Sequence, residues 1–332
     1  MNPTPPRPWP PGAATGLGSL PGTDPAEAVQ LVLGEVADLP YLPELPARGL
    51  GADMVGRTAS LLVDLATEWQ PHGWTVASRA GRDLRQARDF LTRDLDAITE
   101  QGQGIEVFKV QICGPLTLGA SIELPNLHKV LTDHGAFADL AASLAEGARL
   151  HVDELRRRLP GTRIVLQVDE PSMPAVLTGR VPTPSGYGTV RSLDRTVAVA
   201  TLESVLAAAD DGYRVVHCCA PEVDLTVLGD AGANAVAIDA ALVTSAELDS
   251  IGELIESGTS IWLGVAPATD TAISLDSLRG QLDRFWQHLG FNRDSLALTV
   301  VPTPACGMAG ASPDYARRVM SLLRDVGQSL QS

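Results

Sequence analysis

The sequence predicts an α/β protein with a parallel sheet, folded as a single-domain (β/α)8 TIM barrel in preference to an open sheet. Three observations carry this expectation. Short, nearly continuous apolar runs recur, such as Ile164-Val165-Leu166 and Tyr213 to Val216, and strands of that kind are buried on both faces. Segments with apolar residues at helical spacing alternate with them. No composition break marks a linker within the 332 residues, a length that one large barrel fills.

The elements follow in order. Met1 to Gly12 is proline-rich without an apolar core. It reads as a disordered tail rather than a signal peptide, with the barrel occupying 13–332. Ala13 to Thr23 reads as a short strand entering a glycine-punctuated loop. Asp24 is expected to cap a helix that opens at Pro25 and ends near Val36. Pro40, Pro43 and Pro46 mark a loop, and Asp53 to Glu68 carries helical spacing. Gly73 to Ser78 is a strand and Arg82 to Ile98 an amphipathic helix. Glu106 to Ile112 is a strand that ends at Cys113-Gly114-Pro115, and Ala136 to Leu159 a long helix. Arg163 to Val168 is a strand ending at Asp169-Glu170-Pro171. Leu193 to Ala209 is helical, and the Tyr213 strand follows. Ala235 to Ile238 ends at Asp239, Ser245 to Ser257 is a helix, and Ile261 to Val265 is a strand. Leu275 to Leu289 is a helix, Leu296 to Val301 the last strand, and Pro313 to Leu330 a closing helix capped by Ser312.

The net charge of −15 and pI near 4.7 argue against nucleic acid, whose phosphates need Lys and Arg stripes, and against anionic membrane surfaces. No apolar run reaches the roughly 18 residues of a membrane helix. A cytoplasmic, reducing location is expected, so Cys113, Cys218, Cys219 and Cys306 are read as thiols or ligands rather than disulfides.

The Tyr213 strand runs into His217-Cys218-Cys219-Ala220-Pro221. On an extended backbone residues two apart share a side, so His217 and Cys219 face a common point while Cys218 faces away. Imidazole nitrogen and thiolate suit Zn2+. Cys306 follows the last strand, with Gly307 permitting a tight turn, and Asp239 ends the strand after the His217 strand. His217, Cys219, Asp239 and Cys306 therefore form a candidate N, S, O, S ligand set, with Asp239 either a direct ligand or a partner that orients His217. Singly, each is more readily read as packing; together at barrel strand ends they point to a site.

The His-x-Cys step, Cys306-Gly307 and Gln167-Val168-Asp169-Glu170-Pro171 resemble the catalytic barrel of cobalamin-independent methionine synthase. So do Gly18-Ser19-Leu20-Pro21-Gly22-Thr23 and Asp53-Met54-Val55. The resemblance spans the chain from about Thr15 to the last helix and covers only the catalytic barrel of the family's long form. It implies zinc held by His217, Cys219, Cys306 and an acid, with homocysteine as the thiol and a methylated folate as donor. The donor is taken directly or delivered by a partner protein. It also implies that Asp169, with Glu170 beside it, meets the substrate amino group, and that Ser19 and Gly18 meet its carboxylate. Three departures stand out. Asp239 replaces a Glu ligand; Arg48 lies where a substrate-binding Glu is expected; and Gly264 to Asp270 lacks a histidine. Two other readings are a non-catalytic, regulatory zinc or ligand-binding barrel and a metal-free decarboxylase of the uroporphyrinogen decarboxylase kind.

Overall fold

The structure is a computed structural model that describes residues 6–209 and 212–331. Two strands, β1 (Ala66–Gln70) and β2 (Gly73–Ala77), form an antiparallel hairpin. Six more make one parallel sheet: β3 (Val107–Cys113), β4 (Arg163–Asp169), β5 (Tyr213–Cys218), β6 (Ala235–Asp239), β7 (Ser260–Ala266) and β8 (Val300–Pro304). They pair strictly in chain order, as right-handed βαβ crossovers dictate. The result is an α/β fold with a curled parallel sheet of the TIM-barrel kind.

Two irregular segments flank the sheet. Thr15 N donates to Pro302 O of β8 at 3.4 Å. Leu20 N and Glu44 O pair at 2.9 Å, and Glu44 N and Gly18 O at 3.1 Å. Leu42 N donates to Lys109 O of β3 at 2.9 Å, and Lys109 N to Pro40 O at 2.8 Å.

Side-chain alternation along the strands divides the interior. Phe108, Val110, Leu166, Val168, Val216, Val236, Ile261 and Leu263 pack with the helices in the main core. The opposite face carries a smaller cluster that includes Val107, Val165, Tyr213, Val215, Ala237, Trp262 and Val301. Above it, toward the strands' C-terminal ends, this inner face turns polar: Lys109, Gln111, Gln167, Asp169 and His217 are all buried.

Several expectations change. The expected tail divides: residues 1–5 lie outside the described residues, but Trp9 is buried in the inner cluster. Its ring meets Tyr213 edge-on at 4.7 Å and Trp262 at 5.5 Å. The helix expected over Asp53 to Glu68 is confined to Met54–Ala59. Asp64 adopts φ of 55°, which a continuing right-handed helix excludes, and the hairpin follows. Leu296–Thr299 is a helical turn, so the last strand begins at Val300. Asp24 does cap Pro25–Glu35 through Ala26 N and Glu27 N, and Ser312 caps Pro313–Ser329. No helix among the described residues is long and apolar enough to cross a membrane.

Candidate metal and thiol site

β5 brings His217 to the C-terminal edge of the inner face, and Cys219 follows one residue past the strand's end at Cys218. Cys306 follows β8. Donor atoms of His217, Cys219 and Cys306 lie within 4.8 Å of one another. The Cys219 and Cys306 sulfurs are 3.0 Å apart, hydrogen-bonded as free thiols. Their hydrogen bond, aided by His217, lowers the Cys306 thiol, while the same bond pushes Cys219 up. Cys218 points into the main core, where burial pushes its thiol up to about 12.

His217 is buried, and its Nδ1 lies 2.8 Å from Asp169 Oδ1. Its Nε2 is buried with no hydrogen-bond partner. An orphaned buried nitrogen costs free energy unless something binds it. Beside two sulfurs, one of them disposed to be a thiolate, that nitrogen completes a three-donor N, S, S set that fits zinc with one position open. Asp239 does not join the group. Its Oδ1 accepts from Ala241 N at 2.8 Å, and half-burial raises its carboxyl.

Ser19 reaches the same edge through backbone contact. Met308 N donates to Ser19 O at 2.7 Å, and a Cβ on Gly307 would lie 2.0 Å from Ser19 Oγ. Gly307 thus lets its own backbone pass close to Ser19, just after the bend at Ala305 and Cys306. Gly18 has φ of 138°, a conformation few other residues adopt.

Asp169 and Glu170 part company because neighbours on a strand face opposite sides. Asp169 faces His217. Glu170 turns outward to the start of the helix Pro115–Ser121, accepting from Leu116 N, Thr117 N and Thr117 Oγ1 at 2.8, 2.8 and 2.6 Å. Burial raises its carboxyl to about 7 despite those bonds. The expected substrate contact at Glu170 is therefore replaced by a capping one. The same alternation that separates Cys218 from its neighbours signals this in the sequence.

One acidic group escaped sequence reading. Glu44 is buried, bridged to Ser19, and raised to about 7 by burial, with Arg57 opposing. Arg57 Nε stands 3.8 Å from Glu44 Oε1. Arg48 is turned away into a bidentate pair with Asp94 at 2.7 and 2.9 Å, and Arg57 shares that carboxylate. Glu44 lies nine positions ahead of Asp53, and four ahead of Arg48. In the Gly264 to Asp270 segment, Asp270 is bound to the Ser312 cap at 2.5 and 2.7 Å.

Fold and site together define an α/β protein with a thiol- and imidazole-rich centre at the C-terminal ends of parallel strands. Residues 12–329 match the family described as the catalytic domain of cobalamin-independent synthase. The chain belongs to the cobalamin-independent methionine synthase catalytic-domain family, methyltransferases of methionine synthesis. A B12-independent methionine synthase from Shewanella sp. W3-18-1, solved in complex with selenomethionine, superposes with a TM-score of 0.58. It is 14% identical, over 99% of this chain and 96% of that one. Two glycosidases align more loosely. A family 1 β-glucosidase from Thermotoga maritima has a TM-score of 0.41 at 12% identity, over 98% and 99% of the chains. A psychrophilic glycoside hydrolase family 10 xylanase has 0.42 at 11%, over 87% and 86%. Neither of these two bears on the site. No curated protein matches the chain significantly.

Proposed function

We propose that the protein transfers a methyl group to the sulfur of homocysteine, giving methionine, with zinc held by His217, Cys219 and Cys306. The observation that carries this reading is the orphaned His217 Nε2 beside two mutually hydrogen-bonded thiols. When bound, zinc would favour the deprotonated form of a substrate thiol, the form that is nucleophilic. Asp169 holds the imidazole by Nδ1. The selenomethionine bound to the Shewanella relative is a product-like thioether analogue and favours an amino-acid substrate here.

Ser19, with the Gly18 backbone, meets the substrate carboxylate. Glu44 and Asp169 together meet its ammonium, in place of the Asp169 and Glu170 pair expected from the sequence. Asp239 remains near His217 as an electrostatic neighbour. A methylated folate is the donor, taken directly or delivered by a partner protein: its nitrogen–methyl bond breaks as the sulfur–methyl bond forms, and the nitrogen takes a proton. The segments 13–20 and 40–45, hydrogen-bonded to β8 and β3, act as the two remaining strands of an eight-stranded barrel. Their open ends border the site.

Elemental analysis and zinc-edge spectroscopy test the reading. Zinc should copurify, and homocysteine should add one zinc–sulfur bond. Cys219→Ser and Cys306→Ser should each lose zinc and methyl transfer together. An active, metal-free Cys306→Ser protein would overturn the assignment.

A further inference from the structure

We propose that Lys109 and Gln167 are positioning residues for His217: through a directed chain of hydrogen bonds they decide which imidazole nitrogen carries the proton. The inference rests on the reading of His217, Cys219 and Cys306 as a metal site. The residues of the chain sit on β3, β4 and β5, whose register places Lys109 opposite Val165, Gln111 opposite Gln167, and Asp169 opposite His217. All are buried on the same inner face.

Lys109 Nζ donates to Gln167 Oε1 at 2.7 Å and reaches Gln111 Oε1 at 3.4 Å. It lies 5.0 Å from the centre of the Tyr41 ring and 6.0 Å from that of Trp262. In either protonation state the amine has a hydrogen for Gln167 Oε1. The other end of the amide is locked as well, because Gln167 Nε2 donates to Leu17 O at 2.9 Å, and a carbonyl only accepts. The same nitrogen donates to Asp169 Oδ1 at 2.7 Å. Asp169 Oδ1 therefore faces His217 as an acceptor, and the proton belongs on Nδ1. The lone pair is left on Nε2, the buried nitrogen without a partner beside the sulfurs. Gln111 repeats the arrangement toward the other acid, donating to Leu42 O at 2.6 Å and Glu44 Oε1 at 3.2 Å.

A lysine with no exposed surface is costly to bury and cannot reach a substrate. Setting the direction of these bonds explains its presence at the centre of the inner face.

Gln167→Glu keeps the shape and reverses the polarity. It removes the donor to Leu17 O and sets a second carboxylate against Asp169. Zinc affinity, measured by competition with a chromogenic chelator, should fall about 10- to 100-fold, the range for partners that orient metal-bound histidines. Nitrogen-15 NMR of histidine-labelled, metal-free protein should find His217 protonated on Nδ1 in the parent and redistributed toward Nε2 in Gln167→Glu. Lys109→Met should move both readouts in the same direction. A folded Gln167→Glu protein with the parent's tautomer and zinc affinity within about twofold overturns the proposal. Should neither variant fold, the parent decides it: Nε2–H as its dominant tautomer overturns the chain, and Nδ1–H sustains it. If the parent binds no zinc yet holds the Nδ1 tautomer, the metal reading fails and the hydrogen-bond chain stands. If it binds zinc and the variants bind equally well, the chain fails and the metal reading stands.

Discussion

Asp169 Oδ1 accepts from Gln167 Nε2 at 2.7 Å and stands 2.8 Å from His217 Nδ1, so one carboxylate oxygen is committed to orienting a ring. The sequence suggests a substrate contact for Asp169, and the second oxygen remains for that purpose. In the proposed reading, the residue links the substrate ammonium to the thiol site through a single side chain. Neither role needs the carboxylate to move.

Asp169→Ala should therefore damage metal binding before it damages anything else. It strips the Nδ1 partner from a buried imidazole and an acceptor from Gln167. Zinc affinity is expected to drop about 10- to 100-fold, read by chelator competition. Stability should fall by about 1–3 kcal/mol for the unsatisfied donors, read by chemical denaturation. Unchanged zinc affinity would show that Asp169 does not serve His217.

Glu44→Gln separates the ammonium contact from the thiol chemistry. A charge-assisted bond of about 1.5–3 kcal/mol corresponds to about a 10- to 150-fold fall in kcat/KM for homocysteine. Zinc content should be unchanged. With a four-carbon thiol acid that lacks the amino group, parent and variant should perform alike. An equal loss on both thiols would place Glu44 in structure and not in recognition.

The parts legible in the sequence share one property: they depend on short-range geometry. Two-residue alternation pairs His217 with Cys219 and turns Cys218 away, and Asp24 and Ser312 announce their helices by local capping. The same alternation, applied one strand earlier, separates Asp169 from Glu170. What stayed hidden depends on long-range contact. Leu61 and Leu62 satisfy helical spacing, yet Leu61 O packs so closely on Gly147 that a Cβ there would sit 2.2 Å away. Arg48 looks like a residue of the site until Asp94, 46 positions later, claims it. Trp9 sits among prolines that locally read as a tail, and its partners are more than 200 residues distant.

His151 offers a test of pH dependence away from the thiols. It lies buried on the helix His134–Arg158, and burial, with Arg57 nearby, lowers it from 6.5 to about 3. The unfolded chain takes up this proton below about pH 6.5, while the folded chain resists until about 3. The contribution of His151 to stability is thus full above 6.5 and lost as pH falls toward 3. Glu44 and Glu170, raised to about 7, work oppositely: their contribution is full below 4.5 and lost as pH rises through 7. Comparison with His151→Gln cancels those terms. Between pH 6 and 4 the parent should lose about 1.4 kcal/mol per pH unit relative to the variant, measured by urea denaturation. Parallel stability profiles would show that His151 titrates normally.

Trp9 tests whether the first dozen residues belong to the folded unit. Its ring fills the apolar floor of the inner face between Tyr213 and Trp262. Truncation of such a side chain costs about 3–5 kcal/mol, so Trp9→Ala should shift the urea midpoint strongly downward. The floor and the thiols lie at opposite ends of β5, with Val215 in the lower cluster and His217 at the upper edge. The folded fraction of Trp9→Ala should therefore hold zinc with an affinity within about twofold of the parent. A midpoint unchanged by Trp9→Ala would mean that the segment contributes nothing to the core. A large loss of zinc affinity in the folded variant would mean that floor and site are coupled through the strand.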